Sequence, residues 1–244
     1  MSTLTRKQRE IREREQLILD ISRRMLVEQG YAGLSMDRLA DQTEYSKGVI
    51  YQHFASKEDL VMALAVQSAE ARTQLFERAT KFEGRPRERM LAIGVAGELF
   101  IRLHPYHAQS EQIVKMAGLD ERATPERRSA MLSQEGCCFG VVKSVVDDAV
   151  QVGDLQLPAS LTTADIVLAL WALNFGGQAI IHTDRDLLVK FGITMPYNTI
   201  RMHCQTLLDG YGWRPLFTEW DYEATYRRIL RDLFAEESLA AGMA

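Results

Sequence analysis

The sequence predicts a nearly all-α protein, and three observations carry that reading. Apolar residues recur at helical spacing along most of the chain, strand-like alternation is scarce, and only six prolines interrupt 244 residues. A chain of this length can bury a sizeable core. Its 46% hydrophobic and 25% charged residues are ordinary for a soluble globular protein, which argues against a disordered or fibrous chain. The expected architecture is a three-helix head over residues 10–67, joined by a long helix to a helical body over residues 68–244.

Each element has a local cause. Residues 10–29 form a first helix, with Leu17, Ile18, Ile21, Met25 and Leu26 on one face and Gly30 as a left-handed stop. Ser35 is a suitable N-cap for a second helix, Met36 to Gln42, with Asp37 in its first turn. Ser46 caps a third, Lys47 to Phe54, in which Ile50 and Phe54 face inward. Ser56-Lys57-Glu58-Asp59 resembles a capping box and opens a fourth helix to about Phe82. Gly84-Arg85-Pro86 breaks it.

The body reads as further helices at 87–103, 106–118, 125–152, 162–182, 184–191, 196–209 and 221–237, followed by a fraying SLAAGMA tail. Thr124-Pro125 and Thr162 to Asp165 are the clearest start signals. The run Ile166 to Ile181 is apolar but interrupted by Asn174, Gly176, Gly177 and Gln178. At 16 residues it falls short of the roughly 20 that a membrane span needs, so a buried helix and no membrane partner are expected.

Between Leu34 and Lys57 two short helices meet across a tight turn, with small Ala40 ten residues before apolar Ile50. That spacing is what a helix-turn-helix needs to pack its two helices. Ser46, Lys47, Gly48, Val49, Gln52 and His53 lie outward, and a helix start rich in small and polar groups suits entry into a DNA major groove. Tyr51 and Lys57 can donate to phosphates. Tyr45 either fills a core position or reaches a phosphate.

These residues carry a resemblance. Gly30-Tyr31, Leu34-Ser35-Met36, Leu39-Ala40 and the run Ser46 to Leu60 (SKGVIYQHFASKEDL) resemble the TetR family of bacterial transcriptional regulators over about residues 10–60. The resemblance implies a homodimer on near-palindromic double-stranded operator DNA, usually a repressor, with a helical body that dimerises and holds a small-molecule effector. It implies that Ser46, Lys47, Gly48, Val49, Gln52 and His53 face the groove, that Tyr51 and Lys57 grip phosphates, and that Ser35 caps the supporting helix near the backbone. The chain departs from the family at Thr43-Glu44-Tyr45, where Ala-Gly-Val is common. Glu44 there needs either a left-handed backbone, at a cost on the order of 1–2 kcal/mol, or a slightly different turn.

Charge is consistent with binding through one end. Ten basic and ten acidic side chains balance over residues 1–60, so the whole formal charge of −4 lies in the body. The arm Arg6, Lys7, Arg9, Arg12 and Arg14 either adds phosphate contacts or is a solvated, disordered tail. Three cysteines without framework spacing and a polar N-terminus predict a reducing, cytoplasmic setting. Adjacent Cys137 and Cys138 lack metal-ligand spacing and read as small core residues, with a redox sensor as the alternative. His104 and His107 read as a helix end rather than a metal site. Nucleophile elbows, phosphate loops and metalloprotease motifs do not occur, so no enzyme and no cofactor is expected.

Phe100, His104, Met116, Phe139, Trp171 and Phe175 are the candidates for lining an apolar effector pocket, against plain core packing. The helices at 162–182 and 196–210 are candidates for packing against their copies in a dimer. There Gly176-Gly177 either permits close approach or loosens the helix. The competing functional reading is a protein of the same fold that acts through protein contacts or as an architectural DNA binder without a ligand.

Overall fold

The computed structural model describes residues 5–117 and 122–243. Among them the regular structure is helical, in chain order α1 (Arg6–Gly33), α2 (Met36–Thr43), α3 (Lys47–His53), α4 (Lys57–Ala79), α5 (Pro86–Leu103) and α6 (Pro105–Ala117). Then follow α7 (Pro125–Gln151), α8 (Thr163–Thr183), α9 (Arg185–Lys190), α10 (Pro196–Gly210), α11 (Tyr222–Asp232) and α12 (Ala235–Ala240). The chain divides into two compact units, Met1–Ala71 with His104–Glu135 and Arg72–Leu103 with Gly136–Ala244. The first unit therefore contains α6 and the start of α7 besides the head.

In the first unit α1 starts four residues earlier than its apolar pattern. Thr5 and Gln8 form a reciprocal capping box, Gln8 N–H donating to Thr5 Oγ1 at 3.3 Å and Thr5 N–H to Gln8 Oε1 at 2.9 Å. The basic arm from Arg6 onward is thus helical and exposed, which removes the disordered-tail reading for those residues. Ile18, Leu19, Ile21, Met25 and Leu26 turn inward, whereas Leu17 points out. Gly30 has φ 68° and ψ 179°, a conformation nearly restricted to glycine, and it kinks the chain where the expected stop lies. α1 packs on α2 and α6, and α2 on α3, around Leu34, Leu39, Ile50, Phe54 and Leu60.

In the second unit the core gathers Leu91, Val95, Leu99, Val145, Val146, Ile166, Trp213, Ile229 and Phe234. α5 packs against α11 and α12, and α8 against α10. A fully buried arginine, Arg87, sits at the start of α5. Its guanidinium donates to the carbonyls of Trp213, Pro215 (2.9 Å) and Gln205 (3.0 Å) and meets the Asp209 carboxylate at 2.7 Å.

Three sequence expectations need correction here. The single helix expected over 221–237 is two, because the chain leaves helical geometry at Leu233 and Phe234, and Phe234 is fully buried there. The described part of the SLAAGMA tail, Ser238 to Met243, is ordered rather than frayed. Its α12 closes with Met243 N–H on Ser238 O at 2.8 Å and Gly242 at φ 66°, the geometry of a Schellman stop.

The third concerns α8, expected to be buried. By length and composition it is the one described helix able to cross a membrane, yet little of it is covered by the chain. Ile166, Val167 and Leu170 are buried, while Leu168, Trp171 (43%) and Ile180 (50%) are exposed. Close approach to α10 does occur: a Cβ on Gly177 would stand 2.5 Å from Ile200 Cδ1, so any larger residue here would make the Ile200 side chain move.

Candidate nucleic-acid interface

The candidate interface is built on α3, whose two sides differ sharply. Ser46 Oγ accepts from Val49 N–H at 3.4 Å and starts the helix as expected. Ile50 and the following Phe54 are fully buried, which turns Ser46, Lys47, Gly48, Tyr51 and Gln52 to solvent. Val49 and His53 are half-buried at the edge. A Cβ on Gly48 would meet nothing nearer than Ser46 Oγ at 3.8 Å, so the protein's own packing does not demand glycine there.

The turn before α3 takes the left-handed form. Glu44 has φ 58° and ψ 23°, the one positive-φ non-glycine among the described residues. Tyr45 N–H donates to Ala40 O at 3.1 Å, which closes α2. Backbone geometry, not side-chain chemistry, makes this turn, so Glu44→Gly is expected to stabilise the head by about 1 kcal/mol. Thermal unfolding measures this, and an unchanged midpoint would mean that Glu44 bears no strain. Tyr45 resolves toward the core alternative: it is half-buried against the head core, with the Arg14 guanidinium 5.4 Å from its ring centroid.

The charged groups are not free. Lys47 Nζ lies 2.7 Å from Asp37 Oδ2, and this hydrogen bond holds the ammonium above its usual pKa. Lys57 Nζ stands 4.0 Å from the Tyr31 ring centroid, and partial burial lowers its pKa. The Tyr31 hydroxyl donates to Glu58 Oε1 at 2.9 Å; burial and that carboxylate push its pKa up to about 12. Burial lowers the His53 pKa, so at neutral pH the ring presents one donor and one acceptor nitrogen. Ser35 precedes α2 in extended geometry but makes no side-chain cap bond, which corrects its expected capping role.

Sequence reasoning missed the anchor behind this surface. Asp59 is only 3% exposed; its Oδ1 accepts from Thr124 N–H (3.1 Å) and Thr124 Oγ1 (2.6 Å), and its Oδ2 from Ala55 N–H (3.3 Å). Arg127 adds an ion pair with Glu15 at 2.9 Å and stands 5.4 Å from the Phe54 ring centroid. The start of α7 is thus fastened to the α3–α4 corner. The capping motif at Ser56 flagged Asp59, but nothing local pointed to Thr124.

The pocket candidates fall in both units. In the first, His104 is exposed ahead of α6, and the Met116 side chain lies outside the described residues. The His104 and His107 rings are 5.4 Å apart, and burial drives the His107 pKa down to about 4. In the second, Phe100 is buried, Phe139 packs on the core, Phe175 is half-buried and Trp171 is exposed. An open recess of about 690 Å³ lies between α8 and α10, lined by Ala169, Leu173, His203, Thr206, Leu207, Gly210 and Tyr211, none of them candidates. Cys138 is buried but its neighbour Cys137 is exposed, so only one of the pair is a core residue.

Residues 18–64 match the family model for bacterial regulatory proteins, tetR family. Among curated relatives, the transcriptional repressor AcnR of Corynebacterium diphtheriae is 42% identical over 60 residues, 25% of this chain. The chain spans only about a third of that relative's length (32%). Among solved structures, the TetR-family regulator PfmR of Thermus thermophilus superposes with a TM-score of 0.57 at 19% identity, covering 79% of this chain and 97% of its own. AibR, solved with isovaleryl coenzyme A and operator DNA, superposes with a TM-score of 0.50 at 20% identity, covering 65% and 85%. At these identities the solved structures establish the fold.

Proposed function

We propose that this chain, whose head and fold are those of the TetR family of bacterial regulatory proteins, is a sequence-specific DNA-binding transcriptional regulator. The observation that carries the reading is α3: a short capped helix, anchored by Ile50 and Phe54, that offers Ser46, Lys47, Gly48, Tyr51 and Gln52 to solvent. Such a helix start can enter the major groove, where Gln52, His53 and Lys47 reach base edges while Tyr51 and Lys57 hold phosphates. The DNA-binding part is residues 10–67, and residues 68–244 dimerise and take the effector.

Few base-reading groups on one head make a second head necessary, since each good bidentate contact supplies about 1–3 kcal/mol of discrimination. The exposed apolar face of α8 supports a homodimer, with a second copy as its cover. The name of the AcnR relative favours a repressor, and a DNA-bound regulator of this kind would act in the cytoplasm. The AibR complex, which holds isovaleryl coenzyme A and operator DNA, supports DNA and a small-molecule effector as partners of this fold; release by a small, apolar ligand held in the body is the finer part of this proposal.

Selection from a random duplex pool, followed by anisotropy titration over a range of salt, tests the reading. One near-palindromic site is expected, with affinity falling as salt rises. Gln52→Ala should relax preference at one position of each half-site by about tenfold. Lys57→Ala should weaken all sequences alike. Binding without sequence preference at every salt would overturn the proposal.

A further inference from the structure

The Asp37–Lys47 ion pair couples the first turn of α2 to the first turn of α3, at the edge of the proposed reading surface. Both side chains are well exposed, at 60% and 61%, and the N–O separation is 2.7 Å. Lys47 is the only lysine or arginine in α3. An acid in the first turn of α2 is explained by the helix dipole, but its bond to Lys47 is not. Asp41 stands one turn further along and adds to the negative field.

A lysine ammonium has three donors and no acceptor. With one donor engaged by Asp37, two remain to point outward from a pinned position. The pair as a whole is neutral. A neutral pair releases no counterion from a phosphate, whereas a free ammonium contributes nearly one unit to the salt slope. Pinned beside Asp37, Lys47 can give a hydrogen bond to a base-edge acceptor such as guanine O6 or N7, but contributes little general attraction to the DNA backbone.

We infer that Asp37 is a specificity-determining, positioning residue that withholds the Lys47 charge from phosphates and aims its remaining donors at a base edge. This rests on the DNA-binding reading above. The magnitude is set by the exposed pair: bridges of this kind are worth at most a factor of about five, so two heads together give at most about 25-fold.

The test measures affinity of the full-length wild type, Asp37→Asn, Lys47→Met and the double variant, each on selected operator and on random duplex, over a salt series. Asp37→Asn preserves shape and α2, and circular dichroism checks that each variant is folded. The expected result for Asp37→Asn is tighter binding to random duplex, with a salt slope steeper by about one per head. Its operator-to-random affinity ratio should fall, by up to about 25-fold. In the Lys47→Met background Asp37→Asn should change neither quantity, since the lysine through which it acts is gone. An Asp37→Asn variant with the wild-type ratio and slope, while wild type still selects its operator, overturns this inference alone. So does an effect of Asp37→Asn that survives in Lys47→Met. A wild type that selects no operator overturns the functional reading and this inference with it.

Discussion

Replacing Arg87 with alanine is expected to destabilise the second unit by about 3–5 kcal/mol. The side chain is fully buried. The backbone carbonyls of Gln205, Trp213 and Pro215 would each lose a donor, Pro215 keeping the Tyr222 hydroxyl at 2.6 Å, and the Gln205 side-chain oxygen, which accepts at 3.1 Å, would lose one too. Asp209 would keep its charge without its cation. The guanidinium also lies 5.0 Å from the Tyr222 ring centroid, so packing is lost with the charge. Arg87→Lys should recover only part, because one ammonium cannot span a fork of acceptors. Calorimetry is the measurement. A fall in midpoint of about 10 °C or more is expected for alanine, and a shift under about 2 °C would show that water replaces the guanidinium without loss.

Asp59→Ala should cost the head about 3 kcal/mol and lower DNA affinity without changing sequence preference. The carboxylate accepts from Thr124 through two groups and from Ala55, and charge-assisted bonds of this kind are the stronger ones. Its loss frees the corner from which Ser56 and Lys57 open α4. Phosphate contacts from that corner would then carry an added cost in ordering entropy on binding. Asp59→Asn should be intermediate, since an amide oxygen can still accept from Thr124 while its nitrogen cannot accept from Ala55. Urea unfolding and anisotropy on operator and random duplex separate the two effects. A changed base preference in Asp59→Ala would show that this corner positions α3 for readout rather than supporting it.

Local signals were legible in the chain, and remote ones were not. Gly30 and Ser46 act where their chemistry said they would, and the left-handed Glu44 was foreseeable from its position in a tight turn. Tyr45 and its Arg14 partner were half-legible, since the residue type suited either of two environments. Arg87 carries no local mark of burial: in sequence it is one more charge at a helix start. Its environment comes from residues 118 to 128 positions later. Asp59 and Thr124, 65 positions apart, pose the same problem. The breaks at Leu233 and Phe234 follow from tertiary packing of an otherwise continuous amphipathic pattern. α8 was misread because apolar composition reports that a face wants covering, not which chain covers it.

In the homodimer proposed above the active species would be a product of association, so its amount would obey mass action. Below the dissociation constant of the pair, doubling the number of chains in a cell quadruples the number of pairs. Occupancy of an operator would then respond to expression level more steeply than one-to-one binding allows, and a gene controlled in this way would acquire a threshold from the exposed apolar surface around Leu168 and Trp171.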